Sequence, residues 1–198
     1  MHILFVCTGN TCRSPMAAQL AMTKLRLRGL PWNVSSAGVY AVPGLPMSWE
    51  AEQVLLSRGI APDNHVAQSL TADKVEEADL VVTMTRAQAD EVARRFPSSS
   101  AKVHPLGHFL SPRHGQTGVW GEVHPTAGSY RPDADRIGGM VRNEEDIAQD
   151  IADPIGGGLD AYERAATEID RALDGLIEFL LQQQTDTDLY DRNGGSST

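Results

Sequence analysis

Short apolar runs alternate along this chain with longer segments of helical periodicity. "HILFVC" (2–7) is apolar almost without a break, the pattern of a strand buried on both faces of a parallel sheet. Ser14-Pro15 then predicts a helix start, with Ser as N-cap and Pro at the first helical position. Met16, Leu20 and Leu27 fall on one face of that helix. "WNVSSAGV" (32–39) predicts a second strand ending in a Gly turn, and residues 47–58 a short helix ended by Gly59. "ADLVVTM" (78–84) reads as a third buried strand, 86–95 as a helix closed by Pro97, and "KVHPL" (102–106) as a short fourth strand. The last helix has the clearest signal: Leu159, Tyr162, Ala166, Ile169, Leu173, Leu176 and Leu180 keep a 3–4 spacing.

Two segments carry no such period. Residues 111–148 are rich in Gly, Pro and charge and predict a long loop, which in a compact domain is either functional or unstructured. Its histidines, His114 and His124, are scattered among polar residues and read as solvated, not as metal ligands. From Thr185 the chain is polar and Gly/Ser-rich, which predicts a frayed tail. The pattern therefore predicts one domain over 1–184 with an insertion at about 111–148, followed by a tail at 185–198. Strands alternating with helices define an α/β fold of three layers, α/β/α, with a mainly parallel sheet. Ligands of such sheets bind outside the carboxyl ends of the strands, and the residues after Cys7 lie at one of those ends.

Composition narrows the function classes. The 198 residues are 41% hydrophobic, enough for a sizeable core, yet no apolar run is long enough to span a bilayer. The apolar start is short and lacks a charged leader or small-residue cleavage site, so no signal peptide is expected. A net charge of −9 argues against a general nucleic-acid binder, which needs a basic surface. Two cysteines make no disulfide framework, and the expected compartment is a reducing cytoplasm.

Both cysteines fall in one loop, "FVCTGNTCRSP" (5–15). Thr8, Gly9, Asn10, Thr11 and Cys12 separate Cys7 from Arg13. A strand end, a small polar loop and a helix N-terminus point several backbone N–H groups at one spot, which makes an anion site suited to phosphate. Gly9 and Asn10 tolerate left-handed backbone angles, and Arg13 adds a bidentate grip on phosphate oxygens. The helix dipole and the guanidinium both favour the thiolate of Cys7, and the Ser14 hydroxyl can donate to it. That is a nucleophile facing a bound phosphate, suited to covalent phosphoryl transfer. A cysteine that ends a buried strand is, taken alone, more often core than catalyst; the whole conjunction shifts the balance. A nucleotide P-loop fits less well, since it needs a longer loop and Lys-Ser/Thr after its last Gly. "DIADPIGGG" (150–158) offers Asp153 as a proton donor, although an Asp ahead of a helix is common. Asp150 and Asp146 are weaker rivals.

"VCTGNTCRSP", "SAG", "DNHVAQSLT", "ADLVVTMT" and "DP.GG", in this order, resemble the low-molecular-weight protein tyrosine phosphatase family. The resemblance covers residues 1–110 and 150–183. It implies a flavodoxin-like, four-stranded parallel sheet and no metal or cofactor. It also implies phosphorylated proteins as substrates, with no nucleic-acid or membrane partner. Cys7 would be the nucleophile that becomes phosphocysteine, Arg13 the phosphate clamp, Asn10 the residue that shapes the cradle and Ser14 the group that stabilises the thiolate. Asp153 would be general acid and then base.

Three departures bear on the substrate. Phosphotyrosine members usually carry an aliphatic residue where this chain has Thr11 and an Asp where it has Thr85. They also often place aromatics after Asp-Pro, where Ile155 and Gly156 stand here. Thr11 and Thr85 together resemble the bacterial protein-arginine phosphatase branch. The Thr11 hydroxyl can hydrogen-bond a guanidino group or a water, and its β-branching narrows the mouth; the plainer reading makes Thr11 an isostere of Val. The segment 111–148 has no template in the family. Cys12, close to Cys7 in any tight cradle, is either a disulfide partner that shields the nucleophile or a small residue that packs. Arsenate reductase of similar fold needs further cysteines, which this chain lacks. A non-catalytic phosphoprotein-binding or redox-sensing module does not need the complete set of Cys7, Arg13 and Asp153.

Overall fold

A computed structural model describes residues 1–110 and 150–194. Four parallel strands form one sheet in the order β2-β1-β3-β4. The strands are β1 (His2–Cys7), β2 (Asn33–Gly38), β3 (Leu80–Thr83) and β4 (Val103–Pro105). The helices are α1 (Arg13–Leu27), α2 (Trp49–Ser57), α3 (Ala72–Glu77), α4 (Arg86–Arg95) and α5 (Gly158–Gly194). Single 3₁₀ segments at Pro97–Lys102 and Leu106–Leu110 flank β4.

The predicted α/β architecture holds, and the alternation of β1 explains its layers. Ile3, Phe5 and Cys7 pack with α1, α2 and α5 on one face; Leu4 and Val6 pack with α3 and α4 on the other. Both faces are fully covered, which is why β1 reads as an uninterrupted apolar run. Each wholly buried Leu, Ile or Phe contributes about 1.5–3 kcal/mol relative to exposure. The helical stripe read from the sequence is real for α5: Tyr162, Ala166, Ile169, Leu173 and Leu176 are all buried in the first cluster.

Three local expectations change. Helix α1 begins at Arg13, one residue before Ser14, so Ser14 is not the N-cap; its side chain makes no cap bond and turns to Cys7 instead. The backbone N–H groups of a first turn need no intrahelical partner, so releasing the hydroxyl from capping leaves the helix intact. Helix α3 was not foreseen; Thr71 caps it, accepting from Lys74 N at 3.4 Å. Helix α5 continues past Thr185 to Gly194, because that polar stretch contains no proline and its residues are compatible with a helix. The loop predicted for 111–148, with Asp146 and its basic residues, lies outside the described residues.

Strand β1 pairs with β2 on one side and β3 on the other, with Cys7 opposite Gly38 and Val6 opposite Thr83. Successive connections leave β1 in opposite directions, so a crevice opens at the carboxyl ends of β1 and β3. Cys7 sits at that crevice.

Candidate active site

The site is built on the turn from β1 into α1. Asn10 adopts φ 56°, the left-handed region, and is the only described non-Gly residue there; Asn tolerates this backbone better than most residues. The reversal brings Asn10 N–H back to Cys7 Sγ at 3.3 Å. The Ser14 hydroxyl lies 2.9 Å from the same sulfur. One thiol thus has two polar neighbours, both buried with it.

Asn10 also ties the loop to its surroundings. Its Nδ2 donates to Ser14 Oγ at 3.0 Å and Ser36 Oγ at 2.9 Å, and its Oδ1 accepts from Gln68 N at 2.8 Å. Its carbonyl oxygen lies 2.7 Å from His65 Nε2. Gly38 lies directly behind: a Cβ there would meet Thr8 O at 2.7 Å and Asn10 N at 2.9 Å, both backbone atoms. Only glycine lets β2 approach this closely.

Arg13 and Asp153 meet although a long stretch of chain separates them. Arg13 Nη2 pairs with Asp153 Oδ2 at 2.5 Å, and Arg13 Nη1 donates to Ile151 O at 2.9 Å. Arg13 is buried, while Asp153 is about half exposed. Asp150, its rival from sequence, is engaged elsewhere: its Oδ1 accepts from Arg86 N at 2.7 Å, at the start of α4. Thr8 Oγ1 accepts from Gln88 Nε2 at 3.0 Å. Thr85 is the N-cap of α4 in a reciprocal capping box with Gln88, so its hydroxyl is held by the helix.

Cys12 faces away from the loop's interior toward α5. Its sulfur lies 3.2 Å from Tyr162 Oη and 3.4 Å from Ser48 Oγ, and both cysteines are free thiols. Burial, reinforced by the hydrogen bond with Cys12, raises the Tyr162 phenol to about 12, so it stays neutral. Thr11 is half-buried, with its hydroxyl 3.5 Å from Cys12 Sγ. Gly9 completes the loop next to it.

The structure thus brings together Cys7, Asn10, Arg13, Ser14 and Asp153, with Thr8, Gly9, Thr11 and Cys12 around them. Sequence reasoning gave no role to Ser36, His65, Gln68 or Gln88. "SAG" and "DNHVAQSLT" mark the first three as segments, but nothing local says that they converge on Asn10. Among the described residues, no group of three or more His, Cys, Asp or Glu side chains is placed to hold a metal ion.

A thiol at a parallel-sheet carboxyl end, facing a helix N-terminus and a buried arginine, defines the class of cysteine-loop phosphatases. The family model described as low molecular weight phosphotyrosine protein phosphatase matches residues 2–121. The protein-arginine-phosphatase of Bacillus subtilis is 33% identical over 91% of this chain and 97% of its own. That of Geobacillus stearothermophilus is 35% identical over 92% and 98%. A solved structure of the YwlE arginine phosphatase with its active-site cysteine mutated to a phosphorylated serine is 33% identical. It covers 91% of this chain and 95% of that one, with a TM-score of 0.69. The chain belongs to the low-molecular-weight phosphotyrosine protein phosphatase family. It is a hydrolase that acts on phosphorylated proteins. No described helix is long and apolar enough to cross a membrane.

Proposed function

We propose that this chain dephosphorylates phosphoarginine on proteins through a phosphocysteine intermediate. Cys7 is the nucleophile, Arg13 the phosphate clamp and Asp153 the general acid and then base. The observation that carries the chemistry is the pair of polar contacts on Cys7 Sγ, from Asn10 N–H at 3.3 Å and Ser14 Oγ at 2.9 Å. Both can donate to a thiolate, at the positive end of α1.

In the first step the Cys7 sulfur attacks phosphorus and an S–P bond forms. The P–N bond of phosphoarginine breaks as protonated Asp153 gives its proton to the leaving guanidino nitrogen. In the second step Asp153 takes a proton from water, whose oxygen attacks phosphorus. The S–P bond breaks, releasing phosphate and the thiolate. Through both steps Arg13 and the loop's N–H groups face the charge on the equatorial oxygens, which is where such stabilisation acts.

Arginine specificity draws support from two sources. The two arginine phosphatases are 33% and 35% identical over nine-tenths of this chain, whereas the PtpB tyrosine phosphatase of Staphylococcus epidermidis is 30% identical over 85%. Thr11 offers a hydroxyl beside the cradle; to reach a substrate nitrogen it must give up only a weak contact to Cys12. Phosphotyrosine is the second reading, favoured by the description of the family model itself. The free thiols fit a cytoplasmic setting.

The test is kcat/KM on phosphoarginine and phosphotyrosine peptides for wild type and Thr11→Ile. The wild type is expected to prefer phosphoarginine, and the substitution to shift the ratio toward phosphotyrosine by roughly tenfold or more. A wild type that already favours phosphotyrosine returns the chain to the tyrosine-specific reading.

A further inference from the structure

Gln88, in the first turn of α4, is buried although its side chain is a primary amide. Its neighbours settle which way that amide faces. Gln88 Oε1 accepts from Met84 N at 3.0 Å and from Thr85 N at 3.1 Å. Backbone N–H groups only donate, so the atom they meet is the carbonyl oxygen and the other is the NH2. That nitrogen, Nε2, can only donate, and it reaches Thr8 Oγ1 at 3.0 Å. Helix capping accounts for the oxygen, because Thr85 and Gln88 form the capping box of α4. It does not account for the nitrogen, which crosses from α4 to the loop after Cys7.

The contact fixes the polarity of the Thr8 hydroxyl. Thr8 Oγ1 accepts from Gln88, so its own proton is left for another acceptor. Among the described residues, no group accepts that proton. Thr8 is exposed, and with Arg13, Thr85 and Gln88 it lines a pocket. A hydroxyl proton left over in a pocket that a guanidinium also lines suits an anionic acceptor. Phosphoryl oxygens are such acceptors, whereas the N–H groups of a guanidino side chain are donors.

We propose that Gln88 is a positioning residue: by donating to Thr8 it keeps the Thr8 hydroxyl as a donor to the phosphoryl group held in the loop after Cys7. The proposal rests on that loop being the phosphate site, and it is the same for phosphoarginine and phosphotyrosine. Its functional content is a preset side-chain donor added to Arg13 and the backbone N–H groups, oriented before substrate arrives.

The test compares wild type, Thr8→Val, Thr8→Ser, Gln88→Glu and the Thr8→Val/Gln88→Glu pair at neutral pH. It measures the inhibition constant of inorganic phosphate and kcat/KM on p-nitrophenyl phosphate. Thr8→Val keeps the β-branched shape but removes the proton, and should weaken phosphate inhibition by about tenfold, with kcat/KM falling alongside. Thr8→Ser, which keeps the hydroxyl, should lose less. Gln88→Glu keeps an acceptor for Met84 N and Thr85 N, so the capping box survives, but it replaces the donor to Thr8 with an acceptor. The new carboxylate takes the Thr8 proton away from phosphate. Its charge also repels phosphate in either background, so the informative quantity is the difference between backgrounds. Gln88→Glu should cost more phosphate affinity when Thr8 is present than in Thr8→Val; a role confined to capping α4 would give equal losses. Wild-type phosphate inhibition in Thr8→Val, or equal losses from Gln88→Glu in the two backgrounds, overturns the proposal. A wild type that neither hydrolyses p-nitrophenyl phosphate nor is inhibited by phosphate would instead overturn the phosphate site beneath it.

Discussion

Arg13 Nη2 and Asp153 Oδ2 form an ion pair at 2.5 Å, joining the start of α1 to the segment that leads into α5. Arg13 Nη1 is held at the same time by the carbonyl of Ile151. The guanidinium is therefore bound to the segment that carries Asp153. An incoming phosphate must share Arg13 with Asp153, so clamp and acid are set in position by one another. Asp153 is the more exposed member of the pair.

This pairing gives Asp153→Asn two consequences. A general acid matters most when the leaving group is poor, so turnover of alkyl and weakly activated aryl phosphates should fall more than that of p-nitrophenyl phosphate. Loss of the carboxylate also frees Arg13 from its partner, so inorganic phosphate should inhibit at least as strongly as in the wild type. Steady-state kinetics on a leaving-group series checks both, and an equal loss across the series points to a different acid.

Gly38→Ala should be more damaging than an ordinary glycine substitution. The added methyl would sit 2.7 Å from Thr8 O and 2.9 Å from Asn10 N, neither of which is the end of a flexible side chain. The loop must shift away from Cys7, and a displacement of about 1 Å in a catalytic group costs on the order of 100-fold. We expect kcat on p-nitrophenyl phosphate to fall by about that factor while the circular dichroism spectrum stays α/β. Retained kcat would mean that the cradle tolerates the shift.

Asn10→Ala removes bonds to Ser14, Ser36 and Gln68 and leaves a Cβ-bearing residue at φ 56° without a polar side chain. With buried hydrogen bonds contributing about 1 kcal/mol each, the loss should reach about 2–4 kcal/mol in urea unfolding. Asn10→Gly relieves the backbone and should recover about 1 kcal/mol of it. A loss confined to activity, with stability unchanged, would contradict a structural part for this network.

His104 on β4 should make the fold acid-sensitive. Its Nε2 is buried without a hydrogen-bond partner, and burial lowers its proton affinity below the ordinary histidine value. The folded protein holds it neutral, whereas the unfolded chain protonates it near the usual pKa of about 6.5. The unfolded state therefore binds more protons once pH drops below that value, and stability falls with pH from there downward. Between about pH 7 and about pH 5, the wild-type Tm should drop more steeply than that of His104→Leu. Parallel slopes would remove His104 as the cause.

The local half of the site was legible in the sequence because it is local in the chain. Cys7, Asn10, Arg13 and Ser14 lie within one strand-turn-helix unit, where residue type and spacing dictate geometry. The fold class followed from the apolar runs of β1 and β3, which are buried on both faces. The rest depended on tertiary contacts. Ser36, His65 and Gln68 reach Asn10 from two separate segments, and no pattern in either announces it. Ser14 looked like a cap because Ser-Pro usually is one; its hydroxyl is instead turned to the thiol by the chain's close reversal at Asn10.

Acid-quenched mass spectrometry measures the covalent intermediate on Cys7 directly. In Asp153→Asn the thiolate should still attack p-nitrophenyl phosphate, whose leaving group needs little help from an acid, but the S–P bond should hydrolyse slowly for want of a base to activate water. After brief mixing with p-nitrophenyl phosphate, quenched protein should carry one phosphoryl mass increment, mapped to the peptide that contains Cys7. It should be absent from Cys7→Ala and unaffected by EDTA. Turnover without any adduct on Cys7, or an adduct that persists in Cys7→Ala, would contradict nucleophilic catalysis by this thiol.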